Sequence, residues 1–271
     1  MSYEKELDFT KALALEAGEI MQKYFRTDDL GHEWKEDKTP VTIADTTINK
    51  LVIERVKAKF PKHGILGEEE SHEPDRDLIW VLDPIDGTVP FSLGIPTCAF
   101  SIALVNKADG QPLVAVTHDP FLNETYSAIS GGGAFLNDKS IEATIETDLN
   151  YGYMCLSSRN GKGPGYDYRA SIMIEDLRAE GVKLFNYMSL VYGANRVASG
   201  QFLATVIGTA SAWDMAACAL LVKEAGGIVT DLTGQQRRFD EEGDGCIMAA
   251  NSTIHRYLLE KIRTENANFG D

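Results

Sequence analysis

An α/β fold of the α+β kind, with two sheets layered against helices, is predicted by three features of this chain. Apolar residues recur at three- and four-residue spacing near the N-terminus. Short apolar runs parted by Gly, Pro, Asn and Asp fill residues 65–136, and strands alternate with helices beyond residue 145. Phe9, Leu13, Ala17, Ile20 and Tyr24 share one helical face, giving a first helix that ends near Phe25. The polar stretch Lys35–Thr39 leads through Pro40 to a second helix carrying Ile48, Leu51, Val52 and Val56, which Pro61 stops. Thr42 is placed to cap that helix, with Asp45 in the capping-box position.

Strands are predicted at Ile65-Leu66, Ile79–Leu82, Thr97–Val105, Leu113–Thr117, Glu124–Ala128 and Ala134–Leu136, an antiparallel meander packed on the two helices. The Gly131–Gly133 run reads as a tight turn before a strand rather than a phosphate loop, since no helix follows it. The second half alternates: strands at Met154–Ser157, Val182–Phe185, Leu203–Ile207, Ile228–Thr230 and Cys246–Ala249, and helices at Ser171–Glu180, Tyr192–Ser199, Trp213–Ala225 and Thr253–Arg263. Gly200 and Gly226-Gly227 close two of the helices. Gly161–Gly165 reads as a flexible loop. The chain divides into residues 1–145, carrying most of the candidate site acids, and residues 146–271.

Bulk properties narrow the function. A net charge of −15 without a basic patch argues against a nucleic-acid partner and suits a protein that holds cations, although solubility explains it equally well. The four cysteines, Cys98, Cys155, Cys218 and Cys246, are far apart in apolar contexts, so reduced buried thiols are expected. No apolar run approaches the length of a membrane span, and Met1–Asp8 is charged, without the apolar region of a signal peptide. A cytoplasmic protein is expected.

The stretch Trp80-Val81-Leu82-Asp83-Pro84-Ile85-Asp86-Gly87-Thr88 carries the most chemistry. An apolar strand delivers two carboxylates, three residues apart, into a segment punctuated by Pro and Gly, where they and the Ile85 carbonyl could meet at one hard cation. Asp83 and Asp86 could equally be turn residues, Glu68–Glu70 a solvated face, and Asp45 and Asp214 helix caps. Yet Glu68, Asp83 and Asp214 each stand abruptly beside apolar elements, where an unpaired carboxylate is expensive. Should they converge, they would need cations between them.

Gly67-Glu68-Glu69, the segment ending at Thr88, Trp213-Asp214-Met215-Ala216-Ala217 and Glu224-Ala225-Gly226-Gly227 resemble the signature motifs of the inositol monophosphatase family. The resemblance spans nearly the whole chain, Pro40–Asp45 included. It implies a layered α-β-α-β-α sandwich and a Mg²⁺-dependent, lithium-sensitive phosphomonoesterase, expected as a homodimer. Glu68, Asp83 and the Ile85 carbonyl would hold one metal, and Asp83, Asp86 and Asp214 a second. Asp45, Thr88 and Glu68 would position and activate the attacking water, with a third, weaker metal conceivable. Gly87, Thr88 and Asp86 would receive the phosphate, Ser157 would lie near the substrate ring, and no covalent intermediate would form. An all-oxygen ligand set suits Mg²⁺.

Three departures weaken inositol as the implied substrate. Pro90 replaces the usual amide before Phe91, Ile207 stands where relatives place a hydroxyl-binding Glu six residues before the Trp, and Ser189-Leu190-Val191 lacks the usual run of small residues. The expected substrate is a small sugar or polyol phosphate such as inositol 1-phosphate. Lys35–Val41 and Gly131–Phe135 resemble the histidinol-phosphate phosphatase branch, and fructose 1,6-bisphosphate and 3′-phosphoadenosine 5′-phosphate are alternatives within the family. A non-catalytic relative acting as a binding protein is the alternative of another class.

Overall fold

The computed structural model of the chain describes residues 3–27, 31, 33–34, 40–157, 169–241 and 243–268; the Lys35–Thr39 and Gly161–Gly165 segments lie outside them. In chain order the elements are α1 (Glu4–Tyr24), β1 (Glu33–Trp34), β2 (Pro40–Val41), α2 (Ile43–Lys59), β3 (Gly64–Gly67), β4 (Leu78–Asp86), α3 (Thr88–Ser92), β5 (Ala99–Asn106), β6 (Gln111–Asp119), β7 (Glu124–Ile129), β8 (Ala134–Leu136) and β9 (Lys139–Ile141). The second half adds β10 (Tyr153–Ser157), α4 (Arg169–Ala179), β11 (Lys183–Phe185), α5 (Leu190–Ala198), β12 (Ala204–Thr209), α6 (Ala212–Glu224), β13 (Ile228–Asp231), β14 (Asp244–Ala249) and α7 (Ser252–Asn268).

Five layers result. Leu13, Ala17 and Met21 of α1 and Ile48, Val52 and Val56 of α2 pack with Trp80, Leu82, Phe100 and Ile102 on one face of a seven-stranded sheet, β3 to β9 in sequence order. Ile79, Val81, Ala103 and Val105 point to the opposite face, onto α5 and α6. Those helices also cover one face of a five-stranded sheet, ordered β11-β10-β12-β14-β13, whose other face carries α4 and α7. The period-two split of β4 between the two cores explains why its sequence is a continuous apolar run: a strand buried on both faces has no reason to alternate. The first sheet is a meander with one exception, because β3 pairs parallel to β4. All four cysteines are buried free thiols.

Expected elements recur with altered ends. The first helix begins at Glu4 and α5 at Leu190, each earlier than their apolar periodicity showed. The β1–β2 pair, β9 and a 3-10 turn at Leu149–Tyr151 carry little periodic signal and were not expected. The Gly131–Gly133 run is a turn leading into β8. Glu224 closes it from α6, its carboxylate accepting from the N–H groups of Gly131 and Gly133 at 2.8 Å each.

Candidate metal centre and active site

The Asp-Pro-Ile-Asp segment corrects the expected turn. β4 continues through Asp86, and its pairing with β5 shifts between Asp83, opposite Ser101, and Asp86, opposite Ala99. One extra residue on β4 makes this a β-bulge, a place where Pro84 costs no ladder hydrogen bond. Parity gives the bulge its consequence. In a regular strand, residues three apart point to opposite faces; the extra residue returns Asp86 to the side of Asp83, toward α5 and α6.

Gly87 follows with φ +86, and a Cβ there would lie 2.7 Å from the Thr97 carbonyl, so the position requires glycine. It caps α3, which forms despite the departure at Pro90. Pro90 falls in the first helical turn, where an N–H has no intrahelical partner. Phe91 anchors α3 in the outer core, its ring 5.6 Å from that of Phe25.

Acids from four segments meet at this edge. Asp83, Asp86 and Asp214 offer carboxylate oxygens that all lie within 4.8 Å of one another. Glu68, just beyond β3, donates its N–H to the Leu82 carbonyl at 3.1 Å, which sets it beside the end of β4. Glu68 is outside the group of three, yet its charge acts on Asp45, Asp83 and Asp86 alike. Asp45 and Asp214 both stand in capping boxes. Each is the third residue of its helix and reaches back to the preceding backbone, Asp45 Oδ2 accepting from Thr42 N–H at 2.8 Å and Asp214 Oδ2 from Ser211 N–H at 2.6 Å. The cap uses one carboxylate oxygen of each residue, Oδ2.

Electrostatics single out the same place. Burial pushes the Asp83 carboxyl far above the usual carboxylate range, and repulsion from Glu68, Asp86, Asp214 and Asp45 adds to it. Burial likewise raises Asp45 to about 7 and Asp86 to about 6. The Asp45 Oδ1 atom is buried with no hydrogen-bond partner. Crowded carboxylates and an orphaned buried oxygen are costly alone and fit a hard cation with oxygen ligands.

The remaining expected residues fall as follows. The Ile85 carbonyl faces Thr88, whose hydroxyl donates to it at 3.1 Å; its second lone pair is still able to serve a metal. Thr88 is not joined to Asp45, which takes its side-chain hydrogen bond from Thr42. Ser157 ends β10 opposite Ile207 and makes no hydrogen bond to the acids. The Ile207 side chain is fully buried in the core between the sheets, so it presents nothing to a substrate.

A missed contributor is the N-terminus of α5. Ser189 Oγ, Leu190 N–H (3.1 Å) and Val191 N–H (2.9 Å) all donate to the Asp86 carboxylate. A Ser ahead of an amphipathic helix is an N-cap signal, and it was available in the sequence.

Comparison with known proteins agrees with this geometry. Residues 2–267 match the model of the inositol monophosphatase family. The chain belongs to that family. Its members are metal-dependent hydrolases of phosphomonoesters, and this chain is one of them. The chain is 32% identical over 258 residues to a histidinol-phosphatase of Chlorobaculum parvum, covering 95% of this chain and 96% of that protein. It is 31% identical over 256 residues to a fructose-1,6-bisphosphatase/inositol-1-monophosphatase of Thermotoga maritima, covering 94% and 95%. Among solved structures, an IMPase of Thermotoga maritima superposes with a TM-score of 0.84 at 28% identity, covering 97% of this chain and 99% of that one. Family membership thus carries the layered fold and the reaction class together. Among the described residues no helix is long and apolar enough to cross a membrane.

Proposed function

We propose that the chain hydrolyses a small sugar or polyol phosphate, inositol 1-phosphate being the representative, with Mg²⁺ as cofactor. The observation that carries the reading is the meeting of Asp83, Asp86 and Asp214 within 4.8 Å beside a buried, partnerless Asp45 oxygen. Asp83, Asp86 and Asp214 would hold one ion, and Glu68, Asp83 and the Ile85 carbonyl another. Bound Mg²⁺ supplies charge neutralisation for a phosphate dianion and lowers the pKa of coordinated water.

The chain's own groups do the rest. Asp45 Oδ1 and Glu68 hold the attacking water, and their carboxylates are the groups that accept its proton. The Thr88 hydroxyl orients that water, and the backbone N–H groups of Gly87 and Thr88, where α3 begins, receive phosphate oxygens. Asp86, held by hydrogen bonds from the start of α5, borders the phosphate, and Ser157 lies on the leaving-group side. No covalent phosphoenzyme is needed.

Histidinol phosphate is the second reading. The relative bearing that activity in its name supports it, and so does the lack of a carboxylate at position 207. Homodimerisation and lithium inhibition belong to the same proposal and rest on family membership alone; cytoplasmic residence belongs to it as the expectation drawn from the sequence. A panel of inositol 1-phosphate, histidinol phosphate, fructose 1,6-bisphosphate and 3′-phosphoadenosine 5′-phosphate, each with Mg²⁺ and with EDTA, tests it. Mg²⁺-dependent turnover highest on inositol 1-phosphate is expected. A clear preference for histidinol phosphate would replace the substrate, and turnover that survives EDTA would refute the metal reading.

A further inference from the structure

The clamp on Asp86 is only as well placed as α5, and one side chain ties that helix to the rest of the site. The geometry points to Tyr192 as a positioning residue: its hydroxyl fixes the N-terminus of α5, and with it Asp86, against the segment that leaves the Thr88 helix. This rests on the metal reading proposed above.

Tyr192 is the third residue of α5, one turn inside the Ser189 cap. Its hydroxyl lies between two acceptors, the Pro96 carbonyl at 2.8 Å and the Asp119 carboxylate at the end of β6. Pro96 lies between α3 and β5, so this contact joins α5 to the chain that carries Gly87 and Thr88. The adjacent Thr97 hydroxyl donates to the Tyr187 carbonyl at 3.3 Å, a second tie between the same two segments. Asp119 is rigid in turn, its other oxygen accepting from Phe121 N–H at 2.8 Å and Leu122 N–H at 3.1 Å. Asp119, Tyr192 and Asp86 therefore form one continuous connection from β6 through α5 to the acidic cluster.

Proton counting sharpens the inference. A phenol has one hydrogen, which serves one of its two acceptors fully. An asparagine amide at position 119 would donate to the phenol oxygen and leave the phenol hydrogen to the Pro96 carbonyl. Farther along α5, Asn195 and Thr117 bond reciprocally at 3.0 and 3.2 Å, so the helix keeps an anchor to β6 when Tyr192 is altered.

The test measures Mg²⁺ binding to the full-length, substrate-free protein by isothermal titration calorimetry, alongside kcat and KM on inositol 1-phosphate and the melting temperature. Tyr192→Phe keeps the ring and removes the hydroxyl. It is expected to weaken Mg²⁺ about tenfold and to lower kcat, with KM at saturating Mg²⁺ changed by less than about twofold, because outer-shell partners of ligands tune affinity on that scale. Asp119→Leu breaks the same connection from its other end and should reproduce the loss should Tyr192→Phe fold poorly. Asp119→Asn should keep wild-type affinity. Wild-type Mg²⁺ affinity in both Tyr192→Phe and Asp119→Leu, whatever their melting temperatures, would overturn the positioning role. If the unaltered protein bound no Mg²⁺, the metal reading itself would fall and the inference with it.

Discussion

Asp83 lies at the centre of the repulsion, with Glu68, Asp86, Asp214 and Asp45 all acting on its carboxyl. Asp83→Asn removes a buried charge and a shared ligand at once. Phosphatase activity should fall by at least about 10²-fold, since even outer-shell losses reach that size, while the metal-free protein melts no lower than wild type. A variant that is active, or inactive only because it is unfolded, would contradict the assignment. Thr88→Ala should lower kcat about 10²-fold with little change in KM, as loss of a group that orients or relays protons does; a pure KM effect would contradict its role.

The raised carboxyls also make a pH statement. In the metal-free protein Asp45 binds a proton from its ordinary 3.8 up to about 7, where the unfolded chain has already lost it. The native state then holds more protons, so the stability this group contributes is lost as pH rises through that window. Asp86 acts likewise up to about 6. Asp45→Asn should shrink the fall in melting temperature between about pH 5 and about pH 8 measured in EDTA, and added Mg²⁺ should stabilise wild type more at the higher pH. An unchanged fall would show that Asp45 is not the titrating group.

At this scale much was legible. Glu68, Asp83 and Asp214 stand out as acids against apolar elements, Asp45 by its capping position and Asp86 by its spacing from Asp83. Ser189 did not, because apolar periodicity started α5 at Tyr192 and left its cap outside the helix.

Among the elements, the β4 bulge and the start of α5 shape the site. A bulge is a count of residues on one strand against its partner, so no single stretch of sequence reveals it. Asp83-Pro84-Ile85-Asp86 read alone looks like a turn, and only the pairing of Asp83 with Ser101 and Asp86 with Ala99 shows one extra residue. The α5 cap makes a separate demand. Ser189→Ala should cost about 1 kcal/mol in stability, as cap losses do, and weaken Mg²⁺ about tenfold by removing one of the donors that hold Asp86. A stability loss by urea unfolding with unchanged Mg²⁺ affinity would make Ser189 a helix cap and nothing more.

In the whole molecule the acidic cluster sits where layers meet: Asp45 from the outer helices, Glu68 and the Asp83/Asp86 pair from the first sheet, Asp214 from the middle helices. The motifs read from sequence named these residues, but their convergence depends on packing that local patterns do not encode. The two halves of the chain share the core between the sheets, with Met215, Cys218 and Val222 of α6 clustered with Val81, Ala103 and Ala115. Residues 1–145 alone would expose that face of the seven-stranded sheet, so we expect this fragment to show no cooperative unfolding transition. A sharp transition from the isolated fragment would establish it as an autonomous domain.

The convergence itself is best tested by anomalous scattering from crystals of the full-length protein soaked in Mn²⁺, an oxygen-seeking stand-in for Mg²⁺. A difference peak bounded by the carboxylates of Asp83, Asp86 and Asp214 is expected. A map with Mn²⁺ bound elsewhere and none among these three would contradict the metal centre on which the reaction depends.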